Sequence, residues 1–334
     1  MSLDLNRKKV TKNAFRITKM RNSTAVRIRV PGGHLGAEEM RIIADIAEKF
    51  GDGSLHITIR QGFEIPNIPF ERMPEVNAAL VPLIEKLELP YGVKIEDPGA
   101  GYPAAGMRNI SACVGAWFCP FANGDTTALA GKLEALVYPN DFHTKIAVTG
   151  CPNDCIKAHM QDFGIITICR PEYDYSRCIG CEACVKACTQ KVTGALKMKD
   201  GKVVKDDRRC IGCGECVLAC PTGAWTRRPG SLYRLLIMGR TGKKNPRLAM
   251  PFLDRVTEDV VLKVIRNTLD YVDRHILRNL VKEHIGYIVD RTGYPAFRDA
   301  VLEGVTLNPE ARVAKTMSWP GYHTLDDGNL KDIE

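Results

Sequence analysis

Cysteine is the residue type whose spacing carries the clearest chemistry in this chain, and its densest run lies at 178–221. The stretches CIGCEACVKAC (178–188) and CIGCGECVLACP (210–221) repeat the spacing C-x2-C-x2-C-x3-C. With this spacing, three successive thiolates bind one [4Fe–4S] cluster and the fourth reaches a second cluster, whereas zinc is usually bound by separated C-x2-C pairs. We therefore predict two clusters with crossed ligands. The first takes Cys178, Cys181, Cys184 and Cys220, and the second takes Cys210, Cys213, Cys216 and Cys188.

A second cysteine pattern is divided between two distant loops. SACVGAWFCP (111–120) has the spacing C-x5-C, and TGCPNDC (149–155) has the spacing C-x3-C. Four thiolates are the ligand set of one cubane cluster, so the loops are predicted to hold a third [4Fe–4S] cluster; four unrelated buried thiols are the alternative. The predicted ligands are Cys113, Cys119, Cys151 and Cys155. The remaining cysteine, Cys169, ends the strand-like GIITIC and is expected to be a buried, inert thiol.

Composition and charge limit the class of protein further. The chain has 334 residues, 45% of them apolar and 13 of them cysteine, with a formal net charge of +8. The N-terminal residues are polar and basic, unlike a signal peptide, and no apolar run is long enough to span a membrane. We therefore expect a cytoplasmic protein whose cysteines bind metal instead of forming disulfides.

The basic residues recur beside glycine-rich turns and cysteine motifs instead of forming one run. This distribution favours a polyanionic cofactor or a small oxyanion substrate over nucleic acid. The loop GRTGKKNPR (239–247) is basic and glycine-rich but lacks the P-loop spacing, so nucleotide binding is not expected.

Hydrophobic periodicity indicates the elements that must position these residues. The segments 13–31, 37–50, 54–60 and 70–87 follow the order β-β-α-β-α, which is typical of a small α+β unit. In the first helix Met40, Ile43, Ala44 and Ala47 are predicted to share one side. Further strands are predicted at 145–150 and 232–239, and two amphipathic helices at 257–276 and 277–291.

Several stretches resemble the sirohaem-dependent sulfite and nitrite reductases, namely VRIRVPGG, TIRQGFEIP, MRNISACVGAWFCP, KIAVTGCPNDC and LYRLLIMGRTGKKNPRLA. The cysteine-dense segment resembles a bacterial two-cluster ferredoxin, although Thr189 stands where a proline commonly follows the fourth cysteine. The resemblance implies an α+β fold with a ferredoxin-like half-domain at 1–98. It implies a sirohaem and [4Fe–4S] reductase domain at 99–170 and 227–334, with a two-cluster ferredoxin domain inserted at 171–226.

The resemblance also implies roles for individual residues. Cys155, the last of its set, corresponds to the thiolate that bridges the cluster and the sirohaem iron. Because sirohaem carries carboxylates and sulfite is a dianion, several cations are expected to converge. The predicted substrate-site residues are Arg29, Arg60, Arg108, Lys145 and His143, with Arg27 as the alternative to Arg29. The predicted cofactor contacts are Cys155, Arg27, Asn153, Arg240, Lys243, Lys244 and Arg247.

Some of these residue roles have simpler alternatives. A solvated strand residue is the alternative for each arginine, and a solvated loop for 239–247. Turn formation is the simpler role for Asn153. His143 stands where related enzymes often have a lysine, and strand alternation would place it on the same face as Lys145.

The function implied is that of a catalytic subunit of an anaerobic, dissimilatory-type sulfite reductase. Such a protein reduces sulfite to sulfide with six electrons at a sirohaem coupled to a [4Fe–4S] cluster. Expected partners are flavin and iron–sulfur subunits that pass on electrons from NADH. Either a second copy of the chain or a partner subunit is expected to complete the pocket. The alternatives are a sirohaem nitrite reductase and an iron–sulfur electron carrier without catalytic activity.

Overall fold

Strands and helices alternate along the chain in the computed structural model, which describes residues 14–103, 106–241, 246–279 and 283–318. The strands within these ranges are β1 (Phe15–Ile17), β2 (Ser23–Ile28), β3 (His56–Ile57), β4 (Phe63–Pro69), β5 (Ser111–Ala112), β6 (Ile146–Thr149), β7 (Phe163–Ile168), β8 (Pro171–Tyr173), β9 (Leu196–Lys199), β10 (Lys202–Lys205), β11 (Trp225–Arg227), β12 (Leu232–Ile237), β13 (Met250–Val256) and β14 (Arg312–Val313). The helices are α1 (Ala37–Phe50), α2 (Met73–Leu87), α3 (Thr126–Val137), α4 (Ala183–Lys191), α5 (Glu215–Ala219), α6 (Glu258–His275), α7 (Ile285–Thr292) and α8 (Tyr294–Leu302).

The N-terminal unit is a four-stranded antiparallel sheet in the order β1-β2-β4-β3, with α1 and α2 packed on it. Both helices lie where hydrophobic spacing predicts them. In α1, however, the buried side chains are Ile43, Ile46, Ala47 and Phe50, whereas Met40 is exposed. The predicted buried face is therefore wrong by part of a turn at its N-terminal end.

Strand β4 was not predicted, and it contains Pro66 and Pro69, a residue type that is uncommon in the interior of a sheet. The register with β2 explains how these prolines are accommodated. Thr24 pairs with Ile68 but Val26 pairs with Ile65, so Pro66 and Asn67 form a bulge at this point. Asn67 has a positive φ of 59°, which a short polar side chain tolerates.

The second sheet has six strands in the order β14-β13-β12-β7-β6-β5. Neighbours β5, β6 and β7 are parallel, and the remaining pairs are antiparallel. Strands β6, β7 and β12 are almost wholly buried, as their continuous apolar runs predict. No described helix is long and apolar enough to cross a membrane.

The C-terminal helices agree only in part with the sequence pattern. Helix α6 spans the first predicted amphipathic segment and buries the side that Val261, Ile265 and Val272 share. The second predicted helix, 277–291, begins only at α7, after His284 in extended conformation. Helix α8 was not predicted; Gly293 separates it from α7 with a φ of 89°.

The segment 171–226 forms two small ladders of its own, β8 with β11 and β9 with β10, and helices α4 and α5 pack together. A separate apolar cluster lies within this segment and includes Cys184, Cys188, Cys216 and Trp225. The segment therefore has a small core of its own, as expected for an inserted domain.

One buried ion cluster joins the two sheets. The guanidinium of Arg29, just after β2, donates to Glu88 at 3.2 Å, to Glu134 of α3 at 2.9 Å and to the carbonyl oxygen of Met107 at 2.8 Å. It also lies 3.9 Å from the ring centre of Tyr138. Both glutamates are fully buried. Burial and the charge of Glu134 raise the pKa of Glu88 well above its usual range, and Arg29 only partly opposes this.

The raised pKa of Glu88 predicts a pH-dependent stability. A folded protein that holds this proton gains stability below the unfolded pKa of about 4.3 and loses it as the pH rises. Glutamine cannot ionise, so Glu88→Gln should flatten this loss by up to about 1.4 kcal/mol per pH unit. Denaturant titrations across neutral pH measure the slope.

The matched variant Arg29→Met leaves the carboxyl groups of Glu88 and Glu134 without their cation. It should lower the free energy of unfolding by about 3–5 kcal/mol. Equal pH slopes for the wild type and Glu88→Gln would mean that Glu88 is ionised in the folded protein.

Candidate metal and oxyanion site

The two upstream cysteine loops meet at one edge of the six-stranded sheet. Cys113 directly follows β5, and Cys151 comes two residues after β6. Since β5 and β6 are adjacent and parallel, their carboxyl ends lie at the same edge. The backbone N–H of Cys113 donates to the Val148 carbonyl at 3.0 Å, and the N–H of Gly150 donates to the Cys113 sulfur at 3.1 Å.

All four sulfurs of this set are close enough to interact. Burial is the main cause that raises the pKa of the Cys151 thiol, and the other three thiols of the set raise it further. Cys151 is buried, whereas Cys155 is exposed. The exposed position suits the thiolate that the family resemblance assigns to a bridge between two groups.

No three Cys, His, Asp or Glu side chains of the described residues converge as ligands of a single metal ion. A cubane cluster does not require such convergence, because each cysteine binds a different iron atom of the cube. The four thiols therefore fit the ligand set of a [4Fe–4S] cluster.

The cysteines of the insert fall into two groups. Burial and the charge of Cys220 raise the pKa of Cys184, although the two residues are 36 positions apart in the sequence. Burial raises the pKa of Cys213, and Cys210 and Cys188 add to it. These proximities follow the crossed ligand sets. The sulfur of Cys188 accepts the Ala195 N–H at 3.2 Å.

Cys216 lies between the two groups. Burial raises its pKa, and the nearby thiols include Cys184 as well as Cys210 and Cys213. The ligand role of the exposed Cys181 stays a prediction. Cys169 is buried, burial raises its pKa to about 11, and its backbone N–H donates to Gly212.

Asn123 connects the two cysteine regions. Its backbone N–H donates to the Gly150 carbonyl at 2.7 Å, its side-chain amide to the Gly212 carbonyl at 3.4 Å, and its side-chain oxygen accepts from Arg227 at 3.2 Å. One cleft is lined by Cys151 and Asn153 on one side and by Cys213 on the other. Cys151 of the upstream set therefore faces Cys213 across this cleft.

The predicted basic residues behave in different ways. Burial and the charges of Arg27 and Arg60 lower the pKa of Arg108 to about 10. Burial and Arg27 also lower the pKa of Arg60, which Asp162 and Glu64 partly oppose. Mutual repulsion of this kind marks a cluster of cations suited to an anion.

Arg29 does not fit its predicted substrate role. Its guanidinium is held by Glu88, Glu134 and the Met107 carbonyl in the interior, as described above. Arg27 is the better candidate of the two, although its Nε donates to Glu64 at 2.8 Å. The charged neighbours that hold Arg29 come from α3 and the end of α2, which no pattern in the sequence links to it.

His143 and Lys145 lie near this cluster but not in a strand. Strand β6 begins at Ile146, so the prediction that the two side chains share a strand face is wrong. The Nε2 atom of His143 lies 3.1 Å from a guanidinium nitrogen of Arg108. The Lys145 ammonium donates to the Thr241 carbonyl at 2.6 Å, which brings it to the loop after β12.

The basic loop at 239–247 is held at its two ends. Arg240 and Arg247 exchange backbone hydrogen bonds of 2.8 and 2.7 Å. Both side chains are buried; Arg247 pairs with Asp290 at 2.7 Å, and Arg240 lies over the Tyr287 ring. Lys243 and Lys244 lie outside the described residues, so their predicted cofactor contacts stay predictions.

Four polar residues that the sequence did not single out position this site. The side chain of Gln61 exchanges two hydrogen bonds of 2.8 Å with the backbone of Ala112, which ties the RQG turn to the first cysteine loop. Asn109 donates to the carbonyl oxygens of Val30 and Arg60. Asp162 and His284 form a buried pair at 2.9 Å. Gln61 and Asn109 adjoin predicted residues, which is the one signal that could have identified them.

A fold with a four-cysteine site at the end of two parallel strands, beside a cluster of arginines, defines the class of protein. The chain belongs to the nitrite and sulfite reductase family. The profile described as "Nitrite and sulphite reductase 4Fe-4S domain" matches residues 104–308, and "Nitrite/Sulfite reductase ferredoxin-like half domain" matches residues 18–83. The recognition made from the sequence and the α+β fold class are confirmed.

Among individual relatives, the C subunit of the anaerobic sulfite reductase of Salmonella typhimurium is 46% identical over 333 residues, which is 99% of each chain. The chloroplastic ferredoxin–nitrite reductase of Spinacia oleracea is 28% identical over 174 residues, 50% of this chain and 26% of that one. The crystal structure of dissimilatory sulfite reductase I has a TM-score of 0.65 at 17% identity and covers 89% of this chain and 72% of that one; this likeness shows the fold.

The close packing of the first cysteine loop predicts that Gly115→Ala disrupts the site. Gly115 has a φ of 55°, and an added Cβ would lie 2.3 Å from the Thr126 hydroxyl oxygen. We expect the variant to lose about four iron atoms per chain, the content of one cubane. Iron and acid-labile sulfide analysis measures this.

The control is Gly53→Ala, because Gly53 also has a positive φ of 80° but nothing lies within 4 Å of the added Cβ. It carries a similar backbone strain of about 1–2 kcal/mol without the collision. Full iron content in Gly115→Ala would show that the loop tolerates a shift.

Proposed function

We propose that this chain is the catalytic subunit of an anaerobic sulfite reductase that reduces sulfite to sulfide. The observation that carries the proposal is the convergence of four cysteines and a cluster of arginines at one sheet edge. It is supported by similarity along the full length of the chain to a protein named as a subunit of such an enzyme. The change of sulfur from oxidation state +4 to −2 requires six electrons and the loss of three oxygen atoms as water.

The upstream set, Cys113, Cys119, Cys151 and Cys155, would hold one [4Fe–4S] cluster, with Cys155 shared with sirohaem. Two features fit a large anionic macrocycle. Burial and neighbouring cations lower the pKa values of Arg60 and Arg108, so an added anion would be stabilised here, and exposed apolar side chains lie on nearby segments. Ile59, Trp117 and Phe118 are 87%, 59% and 77% exposed, more than a chain usually leaves open without a ligand or partner. When bound, sirohaem would supply the iron that takes sulfite and passes it electrons.

The chain's own cations would bind and orient the substrate. One cation about 4 Å from a unit charge contributes roughly 4 kcal/mol at an effective dielectric near 20, so several are needed to offset the desolvation of a dianion. Arg60 and Arg108 are placed for this, with Arg27 as a third. Lys145 and His143 lie beside them and would hold or donate the protons with which oxygen leaves as water.

Electrons would reach this site through the insert. We assign one [4Fe–4S] cluster to Cys178, Cys181, Cys184 and Cys220, and one to Cys210, Cys213, Cys216 and Cys188. The second set shares a cleft with Cys151, and Asn123 joins the two loops, so this set would be the immediate donor. The first set includes the exposed Cys181 and adjoins the exposed Ile179. It would receive electrons from a partner outside this chain.

External electrons would come from partner subunits. The name of the relative from Salmonella typhimurium includes the word subunit, which indicates a complex. We expect flavin and iron–sulfur subunits that collect electrons from NADH. A second copy of this chain would cover the exposed apolar side chains near the pocket and complete it.

Turnover with reduced viologen tests the substrate. We expect the purified protein to reduce sulfite with a higher kcat/KM than nitrite, and activity confined to nitrite would refute the proposal. The absorption spectrum tests the cofactors at the same time. Sharp Soret and red bands beside broad iron–sulfur absorption are expected of the enzyme, whereas broad absorption alone would indicate an electron carrier.

Removal of the Arg60 cation is expected to weaken sulfite binding selectively. Arg60→Met should raise the KM for sulfite by roughly 30-fold, or about 2 kcal/mol, since screening leaves only part of the pairwise attraction. Steady-state kinetics measure it. The control Arg72→Met removes an arginine that pairs with Glu75 on the surface, and it should leave the KM unchanged. A KM unaffected by Arg60→Met would place Arg60 outside the substrate pocket.

A further inference from the structure

A buried acid–histidine pair lies behind the site and has no role in the function proposed so far. Asp162 is 0% exposed and His284, just before α7, is 2% exposed. The Nδ1 atom of His284 lies 2.9 Å from Oδ1 of Asp162. The other carboxylate oxygen accepts the backbone N–H of Lys145 at 3.1 Å. Asp162 therefore binds both His284 and the segment that carries the predicted proton donors.

His284 also contacts His143 directly. The two rings meet edge to face, with centroids 5.3 Å apart and planes at 89°. On its other side, Nε2 of His143 lies 3.1 Å from the Arg108 guanidinium. A guanidinium can only donate, so Nε2 accepts and a neutral His143 carries its proton on Nδ1. A continuous series of contacts thus leads from Asp162 through both histidines to Arg108.

The second ring nitrogen of His284 is the atom that calls for an explanation. Nε2 is buried and has no hydrogen-bond partner among the described residues. With Nδ1–H donated to Asp162, Nε2 of the neutral ring is a lone-pair acceptor. Leaving such an atom without a partner costs about 1–3 kcal/mol. A water molecule at Nε2 would remove this cost and would carry a proton to the ring, and the carboxylate of Asp162, 2.9 Å from Nδ1, would stabilise the resulting imidazolium.

We propose that Asp162 and His284 form a proton-relay and positioning pair for His143. This inference rests on the proposed function. His284, protonated at Nε2, passes that proton through one intervening water to His143. The resulting imidazolium of His143 gives a proton to an oxygen of the bound sulfur oxyanion and returns to its neutral form, and solvent restores the proton of His284. The overall balance is HSO3⁻ + 6 e⁻ + 6 H⁺ → HS⁻ + 3 H2O, with electrons from the clusters and protons through the pair.

Charged groups lie on the elements packed around the pair, and cations are the majority. Asp162 is the carboxylate at hydrogen-bond distance from His284. The neighbouring groups are Arg60, Arg108 and Lys145 on the pocket side, Arg240, Arg247 and Asp290 beside α7, and Glu283 with Arg291 next to His284.

The variant His284→Asn separates relay from structure. Asparagine places an amide N–H where Nδ1 lies, so the hydrogen bond to Asp162 is kept, but the side chain cannot carry a proton in transit. We expect kcat for sulfite to fall about tenfold or more, its pH profile to change, and the KM to stay within about twofold. Absorbance-monitored binding of sulfite to the resting holoenzyme, a readout without turnover, should keep its affinity.

Two further variants define the limits of the test. Asp162→Asn should lower kcat in the same way, and His275→Asn, a partly exposed histidine at the end of α6, should change nothing. Wild-type kcat and pH profile in His284→Asn would overturn the relay. So would loss of cofactor absorbance or thermal stability in both pair variants, which would make the pair structural. A wild-type enzyme that binds sulfite but turns over only nitrite would instead overturn the proposed function.

Discussion

The site depends on the short parallel ladder between β5 and β6. Two residue pairs form it, Ser111 with Ala147 and Ala112 with Val148. Because the strands are parallel, both chains leave the sheet at the same edge, and each continues at once into a cysteine loop. An antiparallel pairing would place the loops at opposite ends of the sheet. The long connection between the strands, with α3 within it, follows from this requirement.

The arginine cluster differs from the cysteine site in how its side chains affect one another. Thiols can pack as small apolar side chains, whereas clustered guanidinium groups repel each other. The fold holds them in place with the ion pair of Arg27 and Glu64 and with neutral contacts, such as the Asn109 amide on the Arg60 carbonyl and the Gln61 amide on Ala112. Arg29, by contrast, has two buried carboxyl partners, and it joins the two sheets instead of facing the site.

The sequence predicted what depends on local spacing. Cysteine intervals predicted the groups of thiols, and periodicity located α1, α6 and the buried strands. It failed where distant residues decide the outcome: nothing local to Arg29 indicates Glu134, and nothing near Asp162 indicates His284. It also failed where local chemistry is overridden, since a bulge accommodates Pro66 inside β4 and His284 delays the start of α7.

The way the segment 171–226 is attached has a consequence for how such a segment is gained or exchanged. The chain leaves the sheet through β7 into β8 and returns through β11 into β12, and both steps lie in antiparallel pairs. The two points of attachment are therefore neighbours across one ribbon. A tight turn could close the same ribbon at little entropic cost, leaving the catalytic scaffold intact. The segment 171–226 is therefore separable from the scaffold, and a different segment could be attached at the same ribbon without refolding the two sheets.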